Sequence, residues 1–561
     1  MKTFLQSFLL LFFVSGSYAQ NLEWAAQVGG IDRDQGNSIA VDDSGNVYVT
    51  GSYESTVDFD PGPNQMLTTA KGSDDIFILK LNASGQFCWV KTIGGHQSDT
   101  GFRIELDNSG NVYVTGWFRD TVDFDPGPGI QYQYANQFDN VFLLKLNPAG
   151  SFQWVRSFGG NNWDKSFDLE IDQTRNMYIA GTFRDTADFD PGINSSLLVS
   201  TGVRDAFLVK LDSTGQFVWA KGFGGPLEDF VFSIAIDANQ CIYTTGSFEY
   251  SADFDPGLGT LLKQSAGHDD IFIQKLNANG ELIWVETIGD TVSDSGSTIL
   301  LDQLENLYVS GTFSGTVDFN PDSNTAYLSS KGQVDIFILK MDTASNFKWA
   351  TQMGSQTSEF SSSMCQDHNG NIIHSGFFNG KVDVDPGSDS LYISSQGAYD
   401  FFIRKIDSNA HLIWAYSAGS NYTENCSELH VDAANRIYLT GMFNDTMDVD
   451  FSQNVVPLSC DYSDVFILKL NTYPLEVNKA YTALPISTYP NPNSGLLHIE
   501  SDKSLEHVTI QIFDAFGTSV FKKSFPDLRG TTIELPQPNG FYFLKVQSPE
   551  GFYSTGILKR Q

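Results

Sequence analysis

The sequence predicts an all-β protein, a seven-bladed β-propeller followed by a small C-terminal β-sandwich. A tryptophan returns every 65 residues, four short strands lie between successive tryptophans, and the two ends of the repeat array are complementary fragments. A fixed period of this kind is typical of repeat architectures, and four antiparallel strands per repeat are typical of propeller blades. The repeated tryptophans are Trp24, Trp89, Trp154, Trp219, Trp284, Trp349 and Trp414.

The strands of one repeat are separated by short turns that contain glycine. Residues 38–42 and 46–53 flank the turn "DSG", and residues 76–81 and 86–93 flank "NASG". Glycine turns between β-branched and aromatic runs are typical of hairpins. We name these predicted strands A, B, C and D in chain order.

The two ends of the array predict how it closes. The array begins with a D-type strand around Trp24 and ends with a C-type strand at residues 464–471. We expect the first strand to complete the last blade, because closure removes the exposed edges of an open array. A linear β-solenoid is the alternative, and the complementary ends disfavour it.

Four segments are predicted along the chain. Residues 1–19 form a signal peptide, with Lys2 before an apolar run and small residues before a cleavage site between Ala19 and Gln20. Residues 20–471 form the propeller, 472–488 a linker and 489–561 the C-terminal domain. No later apolar run approaches the roughly 18 residues of a membrane span. We therefore expect an exported protein without a transmembrane segment.

The charge of the chain limits its partners. The formal net charge is -34, and residues 20–471 carry 59 acidic against 24 basic side chains. Such a surface repels nucleic acid and anionic membranes, so we expect no nucleic-acid partner and favour cations, proteins or glycans. The five cysteines show no metal-ligand spacing and are predicted to be buried thiols, with Cys426 and Cys460 as the one pair to test for a disulfide.

A hexapeptide, "VDFDPG" at Val57–Gly62, recurs with the same period and places two aspartates one residue apart. Residues i and i+2 of an extended segment face the same way, so each pair of carboxylates can cap turn amides or bind Ca²⁺ with further oxygen ligands. Both readings stay open; the fifth copy has Asn320 and the seventh lacks Pro-Gly. The candidate calcium ligands are Asp58, Asp60, Asp123, Asp125, Asp188, Asp190, Asp253, Asp255, Asp383 and Asp385.

Two further series of acids recur in every repeat. We interpret the acid that opens each A–B turn, first seen at Asp42, as a structural cap. The acid in each D–A loop is predicted to contribute to a negative face that also carries the hexapeptides. That second series is Asp34, Asp99, Asp164, Asp229, Asp294, Glu359 and Glu424.

The distribution of these acids favours a non-enzymatic protein. An active site needs one asymmetric set of groups, whereas acids that recur in every copy are typical of a scaffold. The sequence contains neither an H-E-x-x-H motif nor a G-x-S-x-G motif. We expect a binding or adhesion module, with a hydrolase or lyase acting on extracellular glycans as the main alternative and an inert surface protein as the third.

Resemblances to two known families predict where the protein is delivered. The repeats, with hairpins such as "DIFILKLNASGQFCWVK", resemble the bacterial β-propeller repeat family of secreted and surface proteins. The C-terminal segment, from "YPNPNSGLLHIE" at 489–500, resembles the sorting domain of the type IX secretion system of Bacteroidota. This second resemblance implies a cleavable β-sandwich tail, handling by the secretion machinery, and a cell-surface or secreted product. Its motif residues are Tyr489, Pro490, Asn491, Pro492, Asp514, Gly517, Gly540 and Tyr542.

Overall fold

A computed structural model describes the chain between residues 21 and 560. The described ranges are 21–135, 137–322, 324–387, 389–451, 455–471, 482–484, 486–491, 494–513, 519–535, 540–548 and 551–560. The chain divides into two compact units, one ending at Thr472 and the other beginning at Tyr473. The predicted signal peptide, its cleavage site at Ala19 and Gln20, and most of the predicted linker lie outside the described residues.

Within the described residues, the first unit contains seven propeller-like blades of four antiparallel strands, each in the order A-B-C-D. Six blades are four-stranded sheets, and blade two belongs to a six-stranded sheet that also includes the extra hairpin of blade three. The A strands are Asp34–Val41, Thr100–Leu106, Lys165–Ile171, Asp229–Ile236, Ser295–Leu301, Glu359–Gln366 and Asn425–Val431. The B strands are Val47–Tyr53, Val112–Phe118, Met177–Phe183, Ile242–Asp253, Asn306–Phe313, Ile372–Phe378 and Ile437–Phe443. The C strands are Asp75–Leu81, Asn140–Leu146, Asp205–Leu211, Leu262–Leu276, Asp335–Asp342, Asp400–Ile406 and Asp464–Asn471. The D strands are Phe87–Ile93, Phe152–Gly160, Phe217–Phe223, Leu282–Ile288, Phe347–Met353, Leu412–Ala418 and, for blade seven, Asn21–Val28.

A short extra hairpin between strands B and C accounts for the length of the repeat. In blade four its two strands are continuous with long B and C strands. In the other blades the pairs are Thr56–Asp58 with Leu67–Thr69, Thr121–Asp123 with Tyr132–Tyr134, Thr186–Asp188 with Leu197–Val199, Thr316–Asp318 with Tyr327–Ser329, Lys381–Asp383 with Tyr392–Ser394, and Thr446–Asp448 with Pro457–Ser459. The first strand of each hairpin carries the first aspartate of the repeated hexapeptide.

The predicted completion of the last blade by the first strand is confirmed. Strand Asn21–Val28 pairs antiparallel with Asp464–Asn471, and Lys469 Nζ lies 2.9 Å from Glu23 Oε1. The A strands of neighbouring blades contact one another in order, and the A strand of blade seven contacts that of blade one. The backbone amide of Asp34 also donates to the carbonyl of Ser463 at 2.8 Å. Blades one and seven are therefore joined by backbone and side-chain bonds.

Aromatic side chains form the core of each blade and link it to the next. Phe59, between the two aspartates of the first hexapeptide, is fully buried and packs against Phe77 with ring centroids 5.3 Å apart. This contact anchors the extra hairpin to the blade. The Trp24 indole donates to the carbonyl of Ala83 at 3.1 Å, in the next blade around the ring. Equivalent bonds to the next blade are made by Trp219, Trp284 and Trp349.

The second unit is a curled β-sheet around one hydrophobic core that includes Leu497 and Ile557. Strand Leu496–Phe513 pairs along its length with Ser519–Glu534, and on its other edge first with Ile486–Tyr489 and then with Gly540–Ser548. Strands Gly551–Lys559 and Thr482–Ala483 extend the sheet. The division of this tail into two sandwich layers stays a prediction.

The cysteines form no disulfide in the part of the chain that the structure describes, which includes all five. Cys426 is buried, as predicted for these thiols, whereas Cys88 is exposed. The expectation that all five are buried is wrong for Cys88, which lies on the outermost strand of its blade. Cys241, Cys365 and Cys460 are only half-buried.

Candidate functional site

The paired aspartates of the repeated hexapeptide bind the backbone of their own hairpin. Asp58 Oδ1 accepts hydrogen bonds from the amides of Asp60 at 3.1 Å and Met66 at 2.8 Å. Asp60 Oδ1 accepts from the amide of Gly62 at 2.8 Å. Each pair therefore closes the loop between the two strands of the hairpin, which is the role expected of aspartate in a turn.

The other copies show the same contacts, including the copy that lacks the second carboxylate. Asn320 Oδ1 accepts from the amide of Asp322 at 2.9 Å, as Asp60 does from Gly62. This position therefore requires an oxygen acceptor and not a charge. The ten candidate calcium ligands lie in five separate hairpins, and among the described residues no group of three or more His, Cys, Asp or Glu side chains is placed to hold a metal. Calcium binding by these pairs stays a prediction.

The acids of the D–A loops are buried, so the prediction that they contribute to an exposed negative face is wrong. Asp164 is fully buried, and its carboxylate accepts from the amides of Gly160 at 2.7 Å and Arg184 at 3.1 Å. Burial raises the pKa of Asp164 to about 7, against the lowering effect of these two bonds. Burial likewise raises the pKa of Asp34 and Asp229 to about 8 and of Asp99 and Asp294 to about 7. These acids fasten the D–A loops to the blades.

A channel of about 510 Å³ runs between the A strands, and its lining differs from blade to blade. At the register of Asn37, blades two to four carry phenylalanine and blades five to seven carry serine. The residues at this register are Phe102, Phe167, Phe232, Ser297, Ser362 and Ser427. The rings of Phe102, Phe167 and Phe232 form a continuous surface, with centroids 5.7 and 5.4 Å apart. One side of the channel is therefore aromatic and the other carries hydroxyl groups.

An ion-paired arginine crosses this channel. Arg103 Nε lies 2.8 Å from Asp168 Oδ1 in blade three, and its guanidinium also pairs with Glu428 in blade seven. Although burial opposes it, the two carboxylates raise the pKa of Arg103 above its ordinary value. Both acids also bind backbone amides of the following blade, Asp168 that of Ile234 at 2.7 Å and Glu428 that of Ile39 at 3.0 Å.

Two glutamates lie one step further along the channel, at the register of Ala40. Burial, reinforced by the negative charge of Glu428, raises the pKa of Glu105 to about 8, although Arg103 opposes the shift. Burial and the neighbouring Glu105 raise the pKa of Glu170 well above its ordinary value. Burial and the neighbouring negative charges therefore favour the neutral form of both carboxyl groups, and a neutral carboxyl group can donate a hydrogen bond.

A smaller cavity of about 190 Å³ shares Phe167 with the channel. It lies between blades two and three and is lined mainly by aromatic and charged side chains. The lining includes Arg119, Asp139, Trp163, Lys165 and Arg204.

The sequence analysis missed the residues of both cavities because it examined what the repeats share. The candidate functional residues are found instead among the side chains that differ between blades, at registers where the fold does not require a particular residue. Phe102 and Arg103, for example, correspond to Asn37 and Ser38 in blade one. Aligning the seven copies and marking such positions on the A strands would have located the channel.

The sorting-motif residues lie in the curled tail where they are described. Tyr489 ends a strand and stacks near His498 with centroids 5.4 Å apart, and Asn491 Oδ1 accepts from the amide of Leu558 at 2.9 Å. Gly540 begins a strand, and Tyr542 is buried in the core. Pro492, Asp514 and Gly517 lie outside the described residues.

Comparison with known families agrees with this division of the chain. Residues 23–52 match the family model described as beta-propeller repeat, and residues 487–560 match the secretion system C-terminal sorting domain. The chain is therefore a β-propeller repeat protein with a C-terminal sorting domain of the type IX secretion system. The sorting domain implies handling by the secretion machinery and indicates a secreted or cell-surface protein. In the described part of the chain, no helix is long and apolar enough to cross a membrane.

Two curated proteins have similar sequences. The uncharacterized WD repeat-containing protein L264 of Acanthamoeba polyphaga mimivirus is 24% identical over 79% of this chain. The regulatory protein FlaEY of Caulobacter vibrioides is 22% identical over 35% of this chain. The matched regions span 37% and 20% of the lengths of these relatives.

Two solved structures from Bacteroides thetaiotaomicron give weak matches. The extracellular domain of a protein named as a hybrid two-component system is 10% identical, with a TM-score of 0.21 over 97% of this chain and 100% of that one. A protein named as a phosphatase is 10% identical, with a TM-score of 0.26 over 78% of this chain and 98% of that one. These TM-scores are too low to indicate a shared fold.

Proposed function

We propose that the first unit is a closed seven-bladed β-propeller that acts outside the cell as a non-enzymatic binding module, with its ligand at the central channel. One observation carries this proposal. Seven strands from one repeated sequence line the channel with phenylalanine on one side, around Phe167, and with serine on the other, around Ser362. A scaffold role does not require such a division.

The chemistry of the channel suits a ligand with both apolar and hydroxyl-bearing faces. Aromatic rings offer flat apolar surfaces, and the serine hydroxyls both donate and accept hydrogen bonds. The channel volume of about 510 Å³ is within the range of about 300–1,000 Å³ found for small-ligand sites. A glycan chain or an exposed loop of another protein has this combination of surfaces, and the sorting domain would deliver the propeller to where such partners occur.

The test replaces the aromatic side of the channel by the residue that the other side already carries. We would screen the mature chain against glycan and protein arrays, together with Phe102→Ser combined with Phe232→Ser. Serine occupies the same register at Ser297 and Ser362, so the backbone of an A strand accommodates it. The matched control is Leu258→Ser, since Leu258 is fully exposed in the hairpin loop of blade four.

The proposal predicts that the array hits of the parent weaken by at least about tenfold in the channel variant, since each lost aromatic contact is worth on the order of 1 kcal/mol. The control should bind as the parent does. Equal binding by parent and channel variant would refute the channel as the ligand site. An array without hits would favour the inert surface protein.

A second candidate, a glycan hydrolase or lyase, is favoured by one feature. Glu105 and Glu170 lie at one register of the channel, and burial raises the pKa of both carboxyl groups. A carboxyl group with a raised pKa can serve as a general acid at neutral pH. Release of reducing ends from array-positive glycans, abolished in Glu105→Gln and in Glu170→Gln, would establish the enzyme and overturn the non-enzymatic proposal.

A further inference from the structure

We propose that the smaller cavity beside the channel, between blades two and three, binds the carboxylate of a uronic acid residue in an acidic glycan. We name this cavity the side pocket and define it by Arg119, Asp139, Trp163, Lys165 and Arg204. The inference deepens the proposed function, because it assigns a ligand class to the surface that continues from the channel through Phe167.

The side pocket is cationic on a chain of net charge -34. It contains three basic side chains and one buried acid, Asp139. Arg119 Nη2 and Lys165 Nζ lie 2.7 and 3.4 Å from the Asp139 carboxylate. One carboxylate is therefore paired with two basic side chains. The third base, Arg204, lies 3.7 Å from Glu228, whose side chain is 40% exposed to solvent. Positive charge therefore remains for an anion.

Two donors in the side pocket have no acceptor. Trp163 Nε1 and Arg204 Nε are both buried from solvent and make no hydrogen bond. A buried donor without a partner destabilises the fold, and such exceptions call for an explanation by function or by a bound group. Both orphans are N–H groups, so the missing partner is an oxygen acceptor. An anionic oxygen would accept hydrogen bonds from both donors and would also neutralise the excess positive charge.

Aromatic faces surround these donors. The Arg204 guanidinium lies 5.3 Å from the Trp163 ring centroid, and Lys165 Nζ lies 4.4 Å from that of Trp117. Phe138 packs edge-on against Trp163 with centroids 5.5 Å apart. The volume of about 190 Å³ is below the range of about 300–1,000 Å³ for drug-sized ligands. The pocket therefore suits one ring of a longer chain, with the remainder lying toward the channel.

The fold does not require Trp163 or Arg204, because the other blades carry different residues at these two registers. The register of Trp163 carries Arg33, Ser98, Glu228, Ser293, Ser358 and Thr423 in the other blades. The register of Arg204 carries Asp74, Asp139, Asp269, Val334, Tyr399 and Ser463. At the corresponding corner between blades one and two, Glu54 and Asp139 replace the bases Arg119 and Arg204, so that corner is acidic. The cationic aromatic pocket is thus a departure from the repeat at one corner.

A uronic acid combines the two features that the side pocket recognises. Its carboxylate is planar and matches the bidentate fork of an arginine, and its ring has an apolar face that can lie against an indole. An acidic peptide provides the carboxylate without a ring, and a neutral glycan provides the ring without the charge. The observations therefore favour an acidic glycan over both.

The test measures binding of a short oligogalacturonide to the mature chain by titration calorimetry at low salt. Arg204→Met removes one charge and one orphan donor, and Trp163→Phe removes the other donor while keeping an aromatic ring. The matched control is Arg33→Ala, because Arg33 is exposed and occupies the Trp163 register in blade one. Melting temperatures of all variants show whether each one folds.

We expect Arg204→Met to weaken binding by about tenfold or more and Trp163→Phe by about threefold to tenfold, as lost charged and neutral hydrogen bonds do. Arg33→Ala should stay within about twofold of the parent. The proposal is overturned if the uronide does not bind, if tetraglutamate, a neutral glucan or a sulfated oligosaccharide binds as tightly, or if folded Trp163→Phe binds like the parent. A ligand from the arrays could lose affinity for the channel variant and yet bind Arg204→Met and Trp163→Phe as tightly as the parent. That result would overturn this inference and leave the proposed function intact.

Discussion

At the scale of single residues, aspartate has different roles in this chain according to its surroundings. In the A–B turns, burial of Asp107 is outweighed by hydrogen bonds from Asn111 and others, which lower the pKa of that carboxyl. In the D–A loops, burial dominates and raises the pKa of residues such as Asp99 to about 7. The same side chain therefore favours the charged form in one loop and the neutral form in another.

The opposite shifts predict how stability depends on pH. The five aspartates of the D–A loops have a folded pKa of about 7 to 8 against an ordinary value of 3.8, so the folded state holds more protons between about pH 4 and 8. The free energy of unfolding should then fall as the pH rises through this window. Below about pH 4, protonation of the turn aspartates whose pKa is lowered should destabilise the fold; these are Asp107, Asp172, Asp367 and Asp432. We therefore expect the maximal melting temperature at about pH 4.

The measurement is thermal unfolding from pH 3 to 9 at fixed ionic strength. Asp99→Asn combined with Asp164→Asn should flatten the slope between pH 5 and 8, because it removes two of the groups that bind protons on folding. Asp322→Asn, which removes an exposed charge, is the control and should leave the slope unchanged. A parent that is more stable at pH 8 than at pH 5 would contradict the prediction.

The hexapeptide aspartates give a second prediction at this scale. Asp58→Ala should lower the free energy of unfolding by about 1–3 kcal/mol, because two backbone amides lose their acceptor. Asp60→Asn should change it by less than about 0.5 kcal/mol, since asparagine already serves at Asn320. Chemical denaturation measures both.

Calcium binding by these pairs is tested in the same variants. A site that binds calcium only when folded would add about 2.7 kcal/mol at a hundredfold excess over its dissociation constant. We would compare melting in calcium, magnesium and EGTA at one ionic strength, for the parent and for Asp58→Asn with Asp60→Asn. A response specific to calcium and lost in the double variant would establish a cation site, whereas equal responses would leave the pair a turn.

At the scale of elements, the strand that closes blade seven gives the clearest prediction. Deleting residues 20–30 removes the partner of Asp464–Asn471, the ion pair between Glu23 and Lys469 and the indole bond of Trp24 to the next blade. We expect a sharply lower melting temperature than for the mature chain that begins at residue 20. Melting that matches the mature chain would show that the pairing contributes nothing to stability.

The elements were also what the sequence predicted best. Strands B, C and D lie within one residue of their predicted bounds in the first repeat, because alternation and glycine turns define them. Strand A begins at Asp34, four residues earlier than predicted, because the bulge between Gly36 and Ser38 interrupts its alternation. The channel and the side pocket could not be predicted this way, since Arg103 and Glu428 meet only through a ring of seven strands.

At the scale of the whole molecule, the sorting domain and the propeller are predicted to be separable. A chain cut at residue 475 keeps every described propeller strand, whose contacts lie within the unit that ends at Thr472. We expect it to fold, to keep the ligand affinity of the full chain, and to accumulate in the periplasm of its host. Cell fractionation and binding assays measure these outcomes, and normal surface amounts of the shortened protein would contradict the export role.

The pairing of the first strand with the last also determines when the molecule can finish folding. Gln27 bonds to the carbonyl of Ser459, a partner 432 positions away in the chain. A contact of such separation forms slowly, because the intervening segment must first be ordered or its loop entropy lost. During synthesis and export, blades one to six can assemble in turn, whereas blade seven must wait for its last strand to emerge. The sorting domain lies C-terminal to that strand, so the export signal becomes available only after every strand needed to complete blade seven has been synthesised.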